Sequence, residues 1–343
     1  MQRQPEISPS SLWILTDGKA GDLAQCVGVA EAIGLPFETR RVAPRVPFSW
    51  WLPYGPIDPR ERENRPGSPI APPYPDIAIA SGRRTVAYLR RVKQLSGGKT
   101  FTVFLKDPRT GTGAADLIWV AEHDRLRGGN VMVTPTSPHR FSVSVLSELR
   151  AGTSPEIDKL GAPRVAVLIG GDSRHHSFSD EDQARLLDGL RATARTGGAK
   201  FMITASRRTP AALAQGLAGL AREDGHLFWT GEGTNPYGLY LAKADAIIAT
   251  ADSTNMIGEA AATGKPIHVF EPGGGHAKIT RFLGTLRALG VIHPFPGPLK
   301  TTTYEPMNAT PAIASRILRD YAAMRHKETT APQGRTAGQG RER

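Results

Sequence analysis

The sequence predicts an α/β protein in which two similar parallel-sheet domains face a cleft. Three observations carry the prediction. A strand-then-helix rhythm begins at about residue 12 and begins again at about residue 165. Its strands are short runs that are apolar almost throughout, such as Leu12 to Thr16 (LWILT), Val165 to Ile169 (VAVLI) and Ala246 to Thr250 (AIIAT), the kind a parallel sheet buries on both faces. The chain of 343 residues also exceeds what one α/β core usually organises. Strands alternating with helices wrap a parallel sheet. The expected class is therefore α/β, two Rossmann-like parallel-sheet domains facing a cleft, which is the natural place for a substrate.

The first half opens with the strand Leu12 to Thr16, the turn Asp17 to Asp22 and a helix from about Leu23 to Ile33, with the single cysteine, Cys26, on its buried face. Pro44 to Pro75 is rich in Pro, Trp and Arg and has no periodicity; its length suits either a functional surface loop or partial disorder. Pattern resumes at Asp76 to Ala80, followed by the turn Ser81-Gly82-Arg83-Arg84, a helix to about Gln94, and strands at Phe101 to Leu105 and Leu117 to Val120. A polar stretch, Gly152 to Pro163, reads as the connection between domains. The second half runs Val165 to Ile169, a glycine turn, a helix from about Asp180 to Thr196 and a strand at Lys200 to Thr204. A turn to Pro210 follows, with the proline as an early helix residue, then a helix to about Arg222. Strands at Leu227 to Trp229, Ala246 to Thr250 and Ile267 to Phe270 complete the sheet, before a helix at Ile279 to Leu289. The domain reading is a flexible N-terminus at 1–10, a first domain at 11–152, a linker at 153–163, a second domain at 164–310 and a C-terminal helix at 311–325. The tail 326–343 is almost free of apolar residues and is expected to be disordered.

Composition narrows the function. The net charge of +11, from 43 Lys and Arg against 32 Asp and Glu, favours phosphate-rich ligands, nucleic acid or an anionic membrane surface. The basic residues come in dispersed pairs, with no zinc-finger spacing and no aromatic RNA-binding motif, which ranks nucleic acid below a small phosphorylated ligand. No apolar run approaches a membrane span and the start lacks a secretory core. The expected location is the cytoplasm, with peripheral association to an inner membrane as the extension the charge allows. One cysteine excludes an intrachain disulfide and a cysteine-cluster metal site, and His175 and His176, being adjacent, cannot present both rings to one ion as helical i, i+4 ligands would. The expectation is no metal and no cofactor.

Asn235 to Glu271 (NPYGLYLAKADAIIATADSTNMIGEAAATGKPIHVFE) is the most informative stretch. It reads as helix, buried strand, polar turn, helix and second strand. Asp252 or Ser253 caps the second helix, whose free N–H groups and partial positive charge suit a phosphate. Asn255 and Glu259 are four apart and share a face; a carboxylate one turn beyond a phosphate site is placed to accept hydrogen bonds from a sugar diol. Taken singly, each residue also has an ordinary use as cap, turn support or solvated helix residue. Each half further opens with a glycine turn at a strand end, Asp17-Gly18-Lys19-Ala20-Gly21-Asp22 in the first and Gly170-Gly171-Asp172-Ser173 in the second. Neither is a P-loop or a GxGxxG fingerprint, which removes the main support for kinase, ATPase and dehydrogenase readings. Ser206-Arg207-Arg208 ends another strand, and arginine's planar fork suits a diphosphate. Glu271-Pro272-Gly273-Gly274-Gly275-His276 is a third glycine loop, able to close over the sugar part of a ligand or to serve as a flexible connection.

With these turns in this order, the second half resembles the donor-binding domain of GT-B glycosyltransferases, in particular bacterial transferases that move N-acetylglucosamine or lipid A disaccharide units. The combination TDGKAGD, SGRRT, FLKDPR, IGGDSRHH, TASRRTP, NPYGLYLAKAD and ATADSTNMIGEAAATGKPIHVFE more closely resembles the plant mitochondrial fission proteins of the elongated-mitochondria type and their bacterial relatives. This resemblance covers about residues 11 to 325. It implies Glu259 on a ribose, Asp252, Ser253 and Asn255 around diphosphate and sugar, and Arg207 with Gly170 and Gly171 near the phosphates. Gly18, Lys19, Arg83, Asp172, Ser173, Ser206, Arg208, Asn235, Tyr237, Met256, Gly274 and His276 complete the candidate ligand contacts. Asp17 and Asp22 lie where an inverting transferase holds a base for the acceptor hydroxyl, although this turn has no histidine, unlike several inverting relatives.

The resemblance implies a metal-independent GT-B glycosyltransferase that takes a nucleotide-diphosphate sugar as substrate and passes the sugar to a lipid-linked or cell-envelope acceptor held by the first domain. Arginine and helix N-termini would stabilise the departing diphosphate. Two alternatives stand beside it: a non-catalytic scaffold or recruitment protein of the fission family at a membrane, and a nucleotide-sugar epimerase, since fold does not fix reaction. Trp50 and Trp51 suit either contact with an anionic membrane or packing between domains.

Overall fold

The computed structural model describes residues 8–330. The first unit comprises β1 (Leu12–Thr16), α1 (Ala20–Ile33), β2 (Phe37–Arg41), α2 (Phe48–Trp51), β3 (Ile77–Ser81), α3 (Val86–Leu95), β4 (Phe101–Leu105), β5 (Leu117–Ala121) and β6 (Val131–Thr134). Two helices, α4 (Val143–Ala151) and α5 (Pro155–Asp158), lead into the second unit. There β7 (Arg164–Ile169), β8 (His176–Ser177), α6 (Asp180–Gly197), β9 (Lys200–Ala205), α7 (Ala211–Asp224), β10 (Leu227–Trp229) and α8 (Tyr237–Lys243) follow. The chain ends with β11 (Ala246–Thr250), α9 (Thr254–Ala261), β12 (Ile267–Phe270), β13 (Gly273–Gly274), α10 (Ala277–Ala288), β14 (Ile292–Phe295) and α11 (Thr310–Thr330).

Each unit carries one six-stranded sheet, in the orders β2-β1-β3-β4-β5-β6 and β10-β9-β7-β11-β12-β14, with all neighbours parallel. Apolar clusters lie on both faces of each sheet. Leu12, Ile14, Ile77 and Val103 point to one side of the first sheet and Leu15, Ala78, Ala80 and Ile118 to the other, the double burial that makes these strands uniformly apolar in sequence. Strands at or beside a sheet edge lack that signal. β2 (FETRR) is exposed along most of its length, and β14 carries Pro294 on an edge, where a missing N–H costs no ladder bond.

Both orders reverse at one point. The first chain path doubles back between β1 and β3, and the second between β7 and β11, so the crevices at the carboxyl ends of those pairs are the topological switch points where open α/β sheets bind ligands. The turn after β1 and the turn after β7 sit there, as does the turn from β11 into α9.

The packing also revises the segment reading. Phe141, Leu146 and Ile157 join the core of the second unit with Tyr240 and Leu241, so the chain leaves the first core before α4 and not at residue 152. The last helix crosses back: Ala309, Ile313, Ile317 and Tyr321 pack with Leu12, Val29 and Phe101. It continues through Thr330, beyond His326, where a disordered tail is expected from composition; the rest of that tail lies outside the described residues. At the other end, Ser10 donates through its backbone N and Oγ to Asp76 Oδ2, both at 2.8 Å, so Ser10 is tied down, and residues 1–7 lie outside the described residues. Pro44 to Pro75 is ordered. Arg45 grips Asp58 through Nε and a terminal nitrogen, each at 2.8 Å, and this bidentate hydrogen bond holds the buried Asp58 carboxyl well below the usual carboxylate range.

Candidate functional site

Asp252 follows β11 and its side chain is fully buried. It accepts from Gly171 N at 3.0 Å, Thr250 Oγ1 at 2.7 Å and the Arg208 guanidinium at 2.9 Å. Arg208 donates in addition to the carbonyls of Gly171 (3.1 Å) and Asp172 (2.8 Å). This network locks the turns after β7, β9 and β11 together. It explains the glycines: a Cβ on Gly170 would lie 2.2 Å from the Asp252 carboxylate, and one on Gly171 would lie 2.1 Å from the Arg208 carbonyl. Asp252 and Arg208, expected as ligand contacts, spend these hydrogen bonds on holding the turns of the second unit together. Asp172 and Ser173 are also taken up by their own turn, Asp172 Oδ1 accepting from Phe178 N and Ser173 Oγ from the backbone of His175 and His176.

Arg207 points the other way. Its exposed guanidinium has no partner among the described residues and lines a cavity of about 580 Å³ with Ser206, Phe228, Trp229, Asn235, Tyr237 and Met256. A second cavity of about 430 Å³ shares Ser206, Asn235, Tyr237 and Met256 and reaches Ser253, Asn255 and Glu259, then Gly21 and Gln25 of the first unit. Ser253 caps α9 by accepting from Met256 N, leaving the remaining first-turn N–H groups of that helix directed at the junction. Asn255 ties the units together there: its Oδ1 accepts from Gln25 Nε2 at 3.1 Å and from Ser137 Oγ at 3.2 Å. A Cβ on Gly21 would come within 3.2 Å of Asn255, so the first glycine turn is used for close approach of the two units.

Glu259 faces the same cavity from α9 and accepts from Tyr237 Oη at 2.7 Å. Burial pushes its carboxyl up to about 6, while the tyrosine bond pulls the other way. Because the folded protein holds this proton more tightly than the unfolded chain, stability from this group is present at acid pH. It is lost as pH rises from the ordinary glutamate value of about 4.3 to about 6. Glu259→Gln keeps an acceptor for Tyr237 and removes the charge, so above pH ~6 it is expected to stabilise the fold by about 1–2 kcal/mol. Thermal melts of both proteins at pH 3.5 and pH 8 check this: below the ordinary glutamate value the difference should be small, at pH 8 it should be full, and a gap independent of pH would refute it.

On the first unit the two candidate bases differ. The Asp17 carboxylate is 2 % exposed, packs against Lys19 and the Gly82 turn and lines none of the cavities of the junction. Gly18 and Lys19 lie on that turn and Arg83, just after β3, donates to Ser49 O at 3.3 Å; none of the three lines the cavities of the junction. Asp22 is placed differently. Its Oδ1 accepts from Lys106 Nζ at 3.0 Å, its Oδ2 is buried with no hydrogen-bond partner among the described residues, and the residue lines a cavity of about 260 Å³ with Lys106, Ser137, Ser253, Thr254 and Asn255. Gly274 and His276 line none of these three cavities: Gly274 pairs with His176 in a short ribbon, and the His276 ring caps α10. Phe228, Trp229, Gln25, Ser137 and Lys106 were not foreseen. Trp229 ends a strand that the sequence shows and Lys106 follows one within the FLKDPR motif, so position at a strand's carboxyl end is the available signal for both; Gln25 and Ser137 give none, since they reach the site through contacts distant in sequence.

The family model described as Mitochondrial fission ELM1 matches residues 20–321. The chain belongs to the mitochondrial fission ELM1 family. It is similar to the mitochondrial fission protein ELM1 of Arabidopsis thaliana, 29% identical over 278 residues that cover 73% of this chain and 64% of the plant protein. It is also similar to an uncharacterized protein of Rickettsia prowazekii (strain Madrid E), 38% identical over 111 residues, 31% of each chain. The matches thus span less than two thirds of either relative. Among solved structures, the UDP-GlcNAc 2-epimerase of Methanocaldococcus jannaschii superposes with a TM-score of 0.52 at 9% identity, covering 94% of this ELM1-family chain and all of the epimerase. That likeness is one of fold, and the fold is the GT-B-like pair of parallel-sheet units that the sequence predicts.

Proposed function

We propose that this ELM1-family protein binds a nucleotide-diphosphate sugar and transfers the sugar to a hydroxyl presented from the first unit. One observation carries the reading: the three cavities share walls and run from the aromatic end at Phe228 and Trp229, past Arg207 and the N-terminus of α9, to Asp22. The flat aromatic walls suit a base, the exposed Arg207 guanidinium and the α9 amides suit a diphosphate, and Glu259 suits a sugar diol. In transfer, the same arginine and amides would stabilise charge developing on the leaving diphosphate. The neighbour of known structure is named for a UDP-sugar, which supports testing uridine donors first.

The test is calorimetric titration of the folded protein with UDP-, GDP-, ADP- and CMP-linked sugars. One donor is expected to bind in the range of about 1 μM to 1 mM typical of enzyme substrates, and Arg207→Ala is expected to weaken it at least tenfold, about the worth of one charge-assisted hydrogen bond. Lowering pH through about 6 should weaken the donor as Glu259 protonates and loses acceptor capacity. No binding across the panel would discard the donor site for these nucleotides and leave the scaffold reading; binding with interconversion of the sugar but no nucleotide release would favour epimerisation.

A further inference from the structure

The segment between β2 and β3 turns a set of apolar side chains outward on a firm mount. Arg45 and Asp58 clamp its base, Tyr88 donates to Glu61, and Arg83, in the turn after β3, donates to Ser49 O within α2. On this mount Val46, Trp50, Trp51 and Tyr54 are 57%, 69%, 53% and 75% exposed. They are four of the seven exposed large hydrophobic side chains among the described residues. The tryptophans are thus not packed between domains. Phe48 meets Trp51 edge to face at 5.9 Å, which stiffens the cluster.

The charge around this cluster is sorted. The acids of the segment are used internally: Asp58 by Arg45, Glu61 by Tyr88 and Ala43 N, and Glu63 by Arg91 at 2.5 Å. Arg60, Arg62 and Arg65 are exposed and form no ion pair among the described residues. Tyr54, Arg62 and Arg90 line a cavity of about 560 Å³ beside the aromatic cluster. An outward aromatic wedge with spare arginines around it is complementary to an apolar layer faced with anionic phosphates.

We propose that the face formed by Val46 to Tyr54 and Arg60 to Arg65 docks on an anionic phospholipid bilayer. Tryptophan and tyrosine enter the headgroup layer, where an apolar ring with a polar edge is best accommodated, and the arginines meet lipid phosphates. The position adds a consequence. Through Arg83 and Ser49 the wedge is fixed to the carboxyl-end rim of the first sheet, the rim on which the turn after β1 also lies, so a docked molecule holds its cleft near the lipid surface. The proposal does not depend on the donor reading.

Flotation of the full chain with vesicles of pure phosphatidylcholine, or of equimolar phosphatidylcholine and phosphatidylglycerol, tests it. Binding is expected to the mixed vesicles only, with a blue shift of tryptophan emission. It should be reversed at about 1 M salt, where the screening length falls to about 3 Å. Trp50→Ser with Trp51→Ser should lower partitioning at least tenfold, and Arg62→Gln with Arg65→Gln about fivefold per charge, both with an unchanged melting temperature. The proposal is overturned by no binding to anionic vesicles, by equal binding to neutral ones, or by undiminished binding of the folded tryptophan variant. Competition by free glycerol phosphate at millimolar concentration would make this a phosphate pocket, and loss of a dimer seen by light scattering, without change in vesicle binding, would make it a contact between copies; either would also overturn it.

Discussion

Replacing Arg208 with alanine is expected to destabilise the protein by about 3 kcal/mol, the cost of stranding a buried carboxylate that has lost its charged partner. Asp252 has no exposed side-chain surface while Arg208 is half exposed, so the two halves of the pair are not equivalent. Without the arginine, the carboxylate keeps only Gly171 N and Thr250 Oγ1 and loses the one cation that offsets its charge. Without the carboxylate charge, as in Asp252→Asn, one oxygen still accepts and the arginine can turn to solvent, so about 1–2 kcal/mol is the expected cost. Arg207→Ala, one residue away, should leave stability within about 0.5 kcal/mol, as for a surface change that breaks no network. Urea unfolding of the three variants checks the order. Equal stability of Arg208→Ala and wild type would show that the turns are held by their backbone alone.

That contrast shows where the sequence stops being informative. Interior strands are legible because both faces are buried: Leu12–Thr16 and Phe101–Leu105 are found with the bounds that their apolar runs suggest. The cap at Ser253 and the common face of Asn255 and Glu259 are local, fixed by helix geometry over a single turn, and so can be read from spacing. The division of labour between Arg207 and Arg208 is not local. It depends on Asp172 O, 36 positions away, and on Asp252, 44 positions away. Adjacent identical residues carry no mark of which one the fold has used. The choice between Asp17 and Asp22 was hidden for the same reason: it is decided by the Gly82 turn for one and by Lys106, 84 positions away, for the other.

Asp22→Asn is expected to lower sugar transfer by about 10²–10⁴-fold, the usual contribution of a positioned general base, with donor affinity unchanged. An acceptor hydroxyl entering the cavity beneath Ser253 and Asn255 must give up a proton as it attacks. Of the carboxylates that line this cavity, Asp252 is saturated by three donors and Asp124 is paired with Lys278. Asp22 has one oxygen oriented by Lys106 and the other without a hydrogen-bond partner among the described residues. Asparagine preserves the shape and the lysine contact through its carbonyl oxygen but cannot take the proton. Affinity should hold because the proposed donor contacts belong to the second unit, which separates this variant from Arg207→Ala, where affinity falls first. The readout is nucleoside diphosphate released from the bound donor in the presence of a membrane lipid extract, measured alongside calorimetric affinity. Release by Asp22→Asn at the wild-type rate would remove Asp22 as the base, and a parallel loss of donor affinity would mean that the residue shapes the junction between the units instead of accepting the proton.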